Sequence, residues 1–271
     1  MRTHVAVDGT IVLADSIEIP GLGHLPVNAF LLHAAQPVLV DTGLPTSREE
    51  FLTHLWSLCE PTDLRWIWLT HPDRDHTGSL PQILQAAPQA RLVTTFVGLG
   101  ILSIEQSIAP DRVFLLNPGQ SLDVGDRTLR AFRPPLYDNP ATTGLIDTRT
   151  GACFTSDCFG APMANPDLAQ ADDVGDATLT DVNAGQRLWA TVDSPWIGAV
   201  DRGKYTATVQ EFRTSAAGLR LVFSTHLPPA RDRGEQLLTL LTDAPDQPPF
   251  IGPDQAALEA LLAGFAPSPA S

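Results

Sequence analysis

No stretch of the chain approaches the roughly 20 consecutive apolar residues needed to cross a bilayer. Its opening residues, MRTHVAVDGTIVL, lack the unbroken apolar core of a secretion signal. Cysteine is scarce: Cys59, Cys153 and Cys158 form no CxxC pair and cannot all pair with one another. A disulfide-built scaffold is excluded, and a reducing, cytoplasmic home is expected. Positive charge is also short, with 17 Lys and Arg against 31 Asp and Glu and a formal charge of -14. That balance repels phosphate backbones and anionic lipid, so nucleic acid and membrane surfaces are not expected partners. The glycines of PGLG and VGLGIL come with neither a Walker lysine nor a dinucleotide fingerprint, which argues against a phosphate cradle. Internal repeats are missing, and no histidine lies between His76 and His226.

What remains is an ordinary globular composition, 43% hydrophobic over 271 residues. With no linker-like change before the last thirty or so residues, one large domain is expected over 1–245, followed by a C-terminal helical segment and flexible tail over 246–271. Residues 27–41 read as two short strands, the second ending at Asp41-Thr42-Gly43. Ser47 then reads as the N-cap of a helix to about Leu58, with Glu49 and Glu50 in its first turn. LRWIWLT and ARLVTT read as strands, with a helix from near Thr77 that tolerates Pro81 in its first turn. FVGLGIL is taken as helical despite its glycines, and the stretch from Val113 to Asp157 as strands between turns. Helical periodicity returns over 181–192 and 205–215, a last strand LRLVFST leads to His226, and two helices follow. Strands bracketed by helices predict an α/β protein with two sheets sandwiched between helices, a four-layer αββα arrangement.

The segment LTHPDRDHTGSL packs two histidines and two aspartates into the positions His71 to His76, directly after an apolar strand. Metal binding needs lone pairs converging from a rigid frame, and a loop leaving a strand end can aim neighbouring side chains at two nearby points. Asp157, after GACFT, and His226, after LVFST, also stand where apolar strands end, the edge at which α/β sites are built. The alternative for any one of them is a capping or hydrogen-bonded residue.

Taken together these motifs resemble the metallo-β-lactamase fold superfamily, which has a T-H-x-H-x-D-H loop after a strand, a later bridging aspartate and a final histidine. The upstream VLVDTG is similar to that family's companion strand, with Asp41 as the aspartate that supports a ligand from behind. Within the superfamily the flanks look most like the di-iron domain of flavodiiron proteins and stand-alone oxygen-binding di-iron relatives. That branch has an acidic residue where Asp73 stands and a D-x-F-G such as Asp157 to Gly160. The resemblance implies that His71 and Asp73 bind one metal, that Asp75, His76 and His226 bind a second, and that Asp157 bridges them. It places His24 near the open face of the site. A further histidine ligand of that branch has no counterpart here. Its place falls to Tyr137, to Asp138, to water, or to nothing.

Two metal ions are therefore expected. Iron is favoured by the carboxylate-rich donor set, with zinc and manganese as alternatives, and no bound flavin is expected within this chain. The leading functional reading is a di-iron redox protein that binds oxygen or nitric oxide and takes electrons from a flavin or redox protein. The family implies a homodimer. A second reading is a metallo-hydrolase of an ester, lactone or thioester. There Asp75 would orient a hydroxide and Tyr137 would stabilise the oxyanion. A third is a non-catalytic metal binder. Trp66 and Trp68 read as core, Trp196 as a candidate pocket residue, and Cys158 as a small buried side chain.

Overall fold

The computed structural model describes residues 1–7, 9–216 and 219–264. Among the described residues thirteen strands form two sheets. The first runs in sequence order through β1 (Arg2–Val7), β2 (Thr10–Ile19), β3 (Gly23–Leu32), β4 (Val38–Val40), β5 (Trp66–Trp68), β6 (Arg91–Thr94) and β7 (Val113–Leu115). Its first four strands pair antiparallel and its last four parallel. The change follows from the connections: parallel neighbours need a crossover. The helices α1 (Arg48–Leu58), α2 (Arg74–Thr77), α3 (Leu80–Ala86) and α4 (Phe96–Glu105) supply them.

The second sheet contains β8 (Ser121–Asp123), β9 (Thr128–Phe132), β10 (Gly144–Asp147), β11 (Cys153–Phe154), β12 (Leu221–Ser224) and β13 (Leu227–Arg231), with β13 and β8 at its edges. Only β11 and β12 pair parallel, and the chain between them carries α5 (Pro166–Ala169), α6 (Leu179–Asp193) and α7 (Arg202–Ser215). The helices α8 (Gly234–Thr242) and α9 (Gln255–Gly264) follow β13.

Three apolar clusters separate four layers, as the αββα expectation requires. The alternation along β3 shows how: Ala29 and Leu31 join the cluster beneath α1 and α3, whereas Phe30 and Leu32 face the other sheet. Between the sheets Phe30 meets Phe154 and Phe223 at ring separations of 5.3 and 5.2 Å, and Phe154 stacks on Phe223 at 4.8 Å. Each fully buried ring contributes roughly 1.5–3 kcal/mol of transfer free energy. Val182, Tyr205, Val209, Phe212 and Leu237 build the third cluster, on the outer face of the second sheet.

Several local expectations meet corrections. Ser47 occupies the position before α1, but its side chain makes no capping bond; a short turn of 3-10 helix, Pro45–Ser47, leads in instead. The hairpin β1–β2 went unread because the first six residues of β2 are buried on both faces, which erases the period-two signal. The strand β13 was hidden by Pro228 and Pro229, which are tolerated because it is a sheet edge. No helix among the described residues is long and apolar enough to cross a membrane. The tail APSPAS lies outside the described residues.

Candidate metal centre

Both sheets deliver the polar cluster at the carboxyl ends of their strands. Asp41 follows β4, and Thr70 to His76 follow β5 and enter α2. Ser156 and Asp157 follow β11, and His226 stands between β12 and β13. The chain turns sharply there: Asp41, Ser156 and Phe159 all hold left-handed backbone at φ 59°, 55° and 74°. Such backbone costs about 1–3 kcal/mol per residue and persists only where surrounding bonds over-determine it. Two glycines permit the close approaches. A Cβ on Gly78 would lie 2.2 Å from the Gly43 carbonyl oxygen, and one on Gly160 would lie 2.4 Å from the Trp189 ring and 2.8 Å from the His226 Cβ.

The three histidines are buried, and each is anchored through Nδ1. His76 Nδ1 lies 2.9 Å from Asp41 Oδ2, His71 Nδ1 3.1 Å from Ser156 Oγ, and His226 Nδ1 donates to the Pro26 carbonyl at 2.8 Å. Asp41 is itself fixed by Thr70, whose backbone N–H and hydroxyl both donate to its carboxylate at 2.8 Å. Anchoring one ring nitrogen sets the tautomer and the direction of the other. All three Nε2 atoms point into one cluster of carboxylates.

Within that cluster Asp157 divides its two oxygens. Oδ2 lies 3.3 Å from His71 Nε2, while Oδ1 lies 3.1 Å from His76 Nε2 and 3.3 Å from His226 Nε2. Asp75 Oδ2 stands 3.5 and 3.4 Å from the Nε2 atoms of His76 and His226. Across the cluster His71 Nε2 faces Asp73 at 3.6 Å and Asp138 at 3.8 Å. The donor atoms of His71, His76 and Asp157 lie within 4.8 Å of one another, and so do those of Asp75, His76 and His226, of His71, Asp73 and Asp138, and of Asp138, Asp157 and Asp193.

These residues suit cations by their own chemistry. His76 Nε2 and Asp157 Oδ1 are buried and have no hydrogen-bond partner, a costly condition that an ion coordinated by both would relieve. Burial opposes the charge on His71, His76 and Asp157, yet there the facing groups win. The carboxylates hold His71 and His76 above the ordinary imidazole range, and the three imidazoles hold Asp157 far below the carboxylate range. The bond to His71 holds Asp73 at about 2. Burial pushes Asp138 up to about 6 and Asp193 up to about 9, with neighbouring carboxylates adding to the rise in each. The cluster is short of positive charge at its centre.

Not every expected residue joins it. His24 lies on β3, its backbone paired in both directions with Met163 at 2.8 and 2.7 Å, and its side chain is in none of the four donor groups. The Tyr137 ring packs under the Arg133 guanidinium at 4.9 Å and lies 5.5 Å from the Trp196 ring, whose Nε1 donates to the Tyr137 carbonyl. The neighbouring Asp138 reaches His71 instead. Thr70, Ser156, Asn139 and Asp193 were missed from sequence. Asn139 donates to Asp73 Oδ1 at 2.8 Å. Thr70 and Ser156 each precede a ligand-type residue, which is the one signal that could have found them.

Residues 22–94 match the family model described as the metallo-beta-lactamase superfamily. The rubredoxin oxygen:oxidoreductase of Desulfovibrio gigas superposes with a TM-score of 0.77 over 92% of this chain and 63% of its own, at 17% identity. The flavodiiron protein of Giardia intestinalis follows at 0.75 over 90% and 59%, at 16% identity. This is the metallo-β-lactamase fold. Among curated sequences, a type A flavoprotein of Rhodobacter capsulatus is 30% identical over 152 residues, 55% of this chain and 35% of that protein. A nitric oxide reductase of Moorella thermoacetica is 23% identical over 175 residues, 65% and 43% respectively. The chain spans 23% to 43% of the length of the curated relatives it matches.

Proposed function

We propose that this chain is a binuclear metalloprotein, a di-iron module that binds dioxygen or nitric oxide and reduces it with electrons supplied from a flavin or a redox protein. The observation that carries the reading is the divided carboxylate of Asp157, with one oxygen toward His71 and the other toward His76 and His226. His71 and Asp73 would hold one ion, Asp75, His76 and His226 the other, and Asp157 both. The excess of carboxylate over imidazole favours iron or manganese above zinc, and with it redox chemistry above hydrolysis. The names of the relatives, a nitric oxide reductase and an oxygen oxidoreductase among them, support the same substrate class.

When bound, the two ions would supply electrons and Lewis acidity to the diatomic substrate. The protein's own part is positional. Asp41, Ser156 and the Pro26 carbonyl fix the three imidazoles from behind, and Asn139 steadies Asp73. The three imidazoles are themselves buried, so each donor arrives pre-aimed and little reorganises on binding. Reduction of dioxygen to water consumes four electrons and four protons, so turnover depends on the donor and on proton access at the half-exposed edge formed by Asp73, Asp75 and Asp138.

The test is elemental analysis of protein purified without a metal-chelating tag from cells supplied with iron and zinc, with spectra recorded under anaerobic and then aerated conditions. Two irons per chain and an oxygen-sensitive spectrum are expected. His76→Ala and His226→Ala should each empty the second site. Zinc alone, a single silent ion, or unchanged metal content in both variants would overturn the reading.

A further inference from the structure

We infer that Asp138 is a metal ligand of the first site, making it a one-histidine, three-carboxylate pocket that selects a harder ion than the second site does. The inference rests on the binuclear reading and goes beyond it, because it settles which residue stands where the resembled family has a histidine and what that exchange does to metal choice.

Five observations converge. Asp138 Oδ1 lies 3.8 Å from His71 Nε2, and its donor atom falls with those of His71 and Asp73 inside a 4.8 Å group. It also falls inside a second such group with Asp157 and Asp193. The separations of 3.3, 3.6 and 3.8 Å from His71 Nε2 to Asp157, Asp73 and Asp138 exceed those of direct charge-assisted bonds. They suit donors arranged about a common point. Asp157, 4% exposed, turns its Oδ2 to the same His71 Nε2 at 3.3 Å, while its unpartnered Oδ1 faces His76 and His226. Tyr137, the other candidate, has its ring committed to Arg133 and Trp196.

The two halves of the centre then differ in kind. The first takes one imidazole and the carboxylates of Asp73, Asp138 and Asp157; the second takes two imidazoles and the carboxylates of Asp75 and Asp157. Oxygen donors favour manganese or ferrous iron, and imidazole suits zinc as well as iron. Charge follows the same division. The four carboxylates Asp73, Asp75, Asp138 and Asp157 balance two divalent cations, where a histidine at position 138 would leave one positive charge over. A neutral centre stabilises the higher oxidation state and weakens the hold on added anions.

The experiment loads metal-free protein with Mn(II) in large excess over Zn(II), to offset zinc's higher affinity for any given site, and reads occupancy by elemental analysis and manganese by electron paramagnetic resonance. Wild type should take two ions, one of them manganese. Asp138→Asn should fall to one ion per chain, with the second site keeping zinc. Asp138→His should hold two ions and shift the manganese-to-zinc ratio at the first site toward zinc by about tenfold or more. Tyr137→Phe should match wild type. Circular dichroism of each variant checks folding, and the histidine variant carries the test if the asparagine variant is unfolded. Two ions with an unchanged ratio in both Asp138 variants would overturn the inference and leave the binuclear reading standing. A single ion in wild type would overturn both.

Discussion

Asp41→Asn changes one atom behind the site and should be felt in front of it. Asp41 is 1% exposed and accepts from the Thr70 N–H and hydroxyl at 2.8 Å, with His76 Nδ1 at 2.9 Å. Its left-handed backbone, φ 59°, suits asparagine as well as aspartate, so the exchange adds no strain. The backbone bond from Thr70 survives, since an amide oxygen accepts it. The other oxygen becomes an NH2 group, which now donates toward His76 Nδ1. The imidazole must then move its proton to Nε2, the atom that faces Asp75 and Asp157, and a protonated Nε2 cannot ligate. Loss of a partner behind a metal-bound histidine typically weakens metal binding by about 10–100-fold, roughly 1.4–2.7 kcal/mol. Competitive titration of the second ion against a chelator measures that loss, and nitrogen NMR of His76 reads the tautomer. An Asp41→Asn protein that binds the second ion as tightly as wild type, with its proton still on Nδ1, would refute the argument.

Phe223→Ala removes the ring that touches both Phe30 and Phe154 between the sheets. It should cost about 3–5 kcal/mol in urea unfolding of the metal-free protein; a loss below 1.5 kcal/mol would mean the sheets close over the cavity. Burial pushes the Cys153 thiol well above its ordinary range, with Cys158 adding to the rise. The unfolded chain therefore releases that proton above about pH 8.5 while the folded protein keeps it, so stability should fall as pH rises from there. The decline should be shallower in Cys153→Ala, and an identical slope above pH 9 would assign it elsewhere.

The site was more legible than the frame around it, and the reason is local. His71, Asp73, Asp75 and His76 lie within one loop, so their chemistry shows as spacing. Asp157 and His226 announce themselves by ending apolar strands. Asp193 gave no such signal: it stands at the last residue of α6 and reaches the cluster only because that helix packs across the second sheet. Strands covered on both faces, such as the start of β2, lose the alternation that would reveal them. The place of the absent histidine stayed open among Tyr137, Asp138, water and nothing, because where neighbouring residues of a loop point is set by tertiary contacts such as the packing of the Tyr137 ring on Arg133.

The two sheets contribute different residues to the proposed centre, so the distance between its two proposed sites would be set by whatever fixes one sheet to the other near the strand ends. Asn28, on β3 and 1% exposed, does this directly. Its backbone N–H donates to the Thr225 carbonyl at 2.9 Å, and its side chain donates to the carbonyls of Ser224 and Leu227 at 3.1 and 2.8 Å. These are the three residues that flank His226 in the turn. Pro26, two residues earlier on the same strand, holds His226 Nδ1. One segment of the first sheet thus clamps both the backbone and the ring of His226, a proposed ligand borne by the second. Asn28→Leu keeps the backbone bond but removes the side-chain donor from two carbonyls, a net loss of about 0.5–1.5 kcal/mol each. A purely structural role predicts lower stability with unchanged metal selectivity. The clamp predicts more: the second ion should be lost at lower chelator concentration than the first, although residue 28 touches neither ion. Equal release of the two ions from Asn28→Leu would show that His226 is held well enough by Pro26 alone.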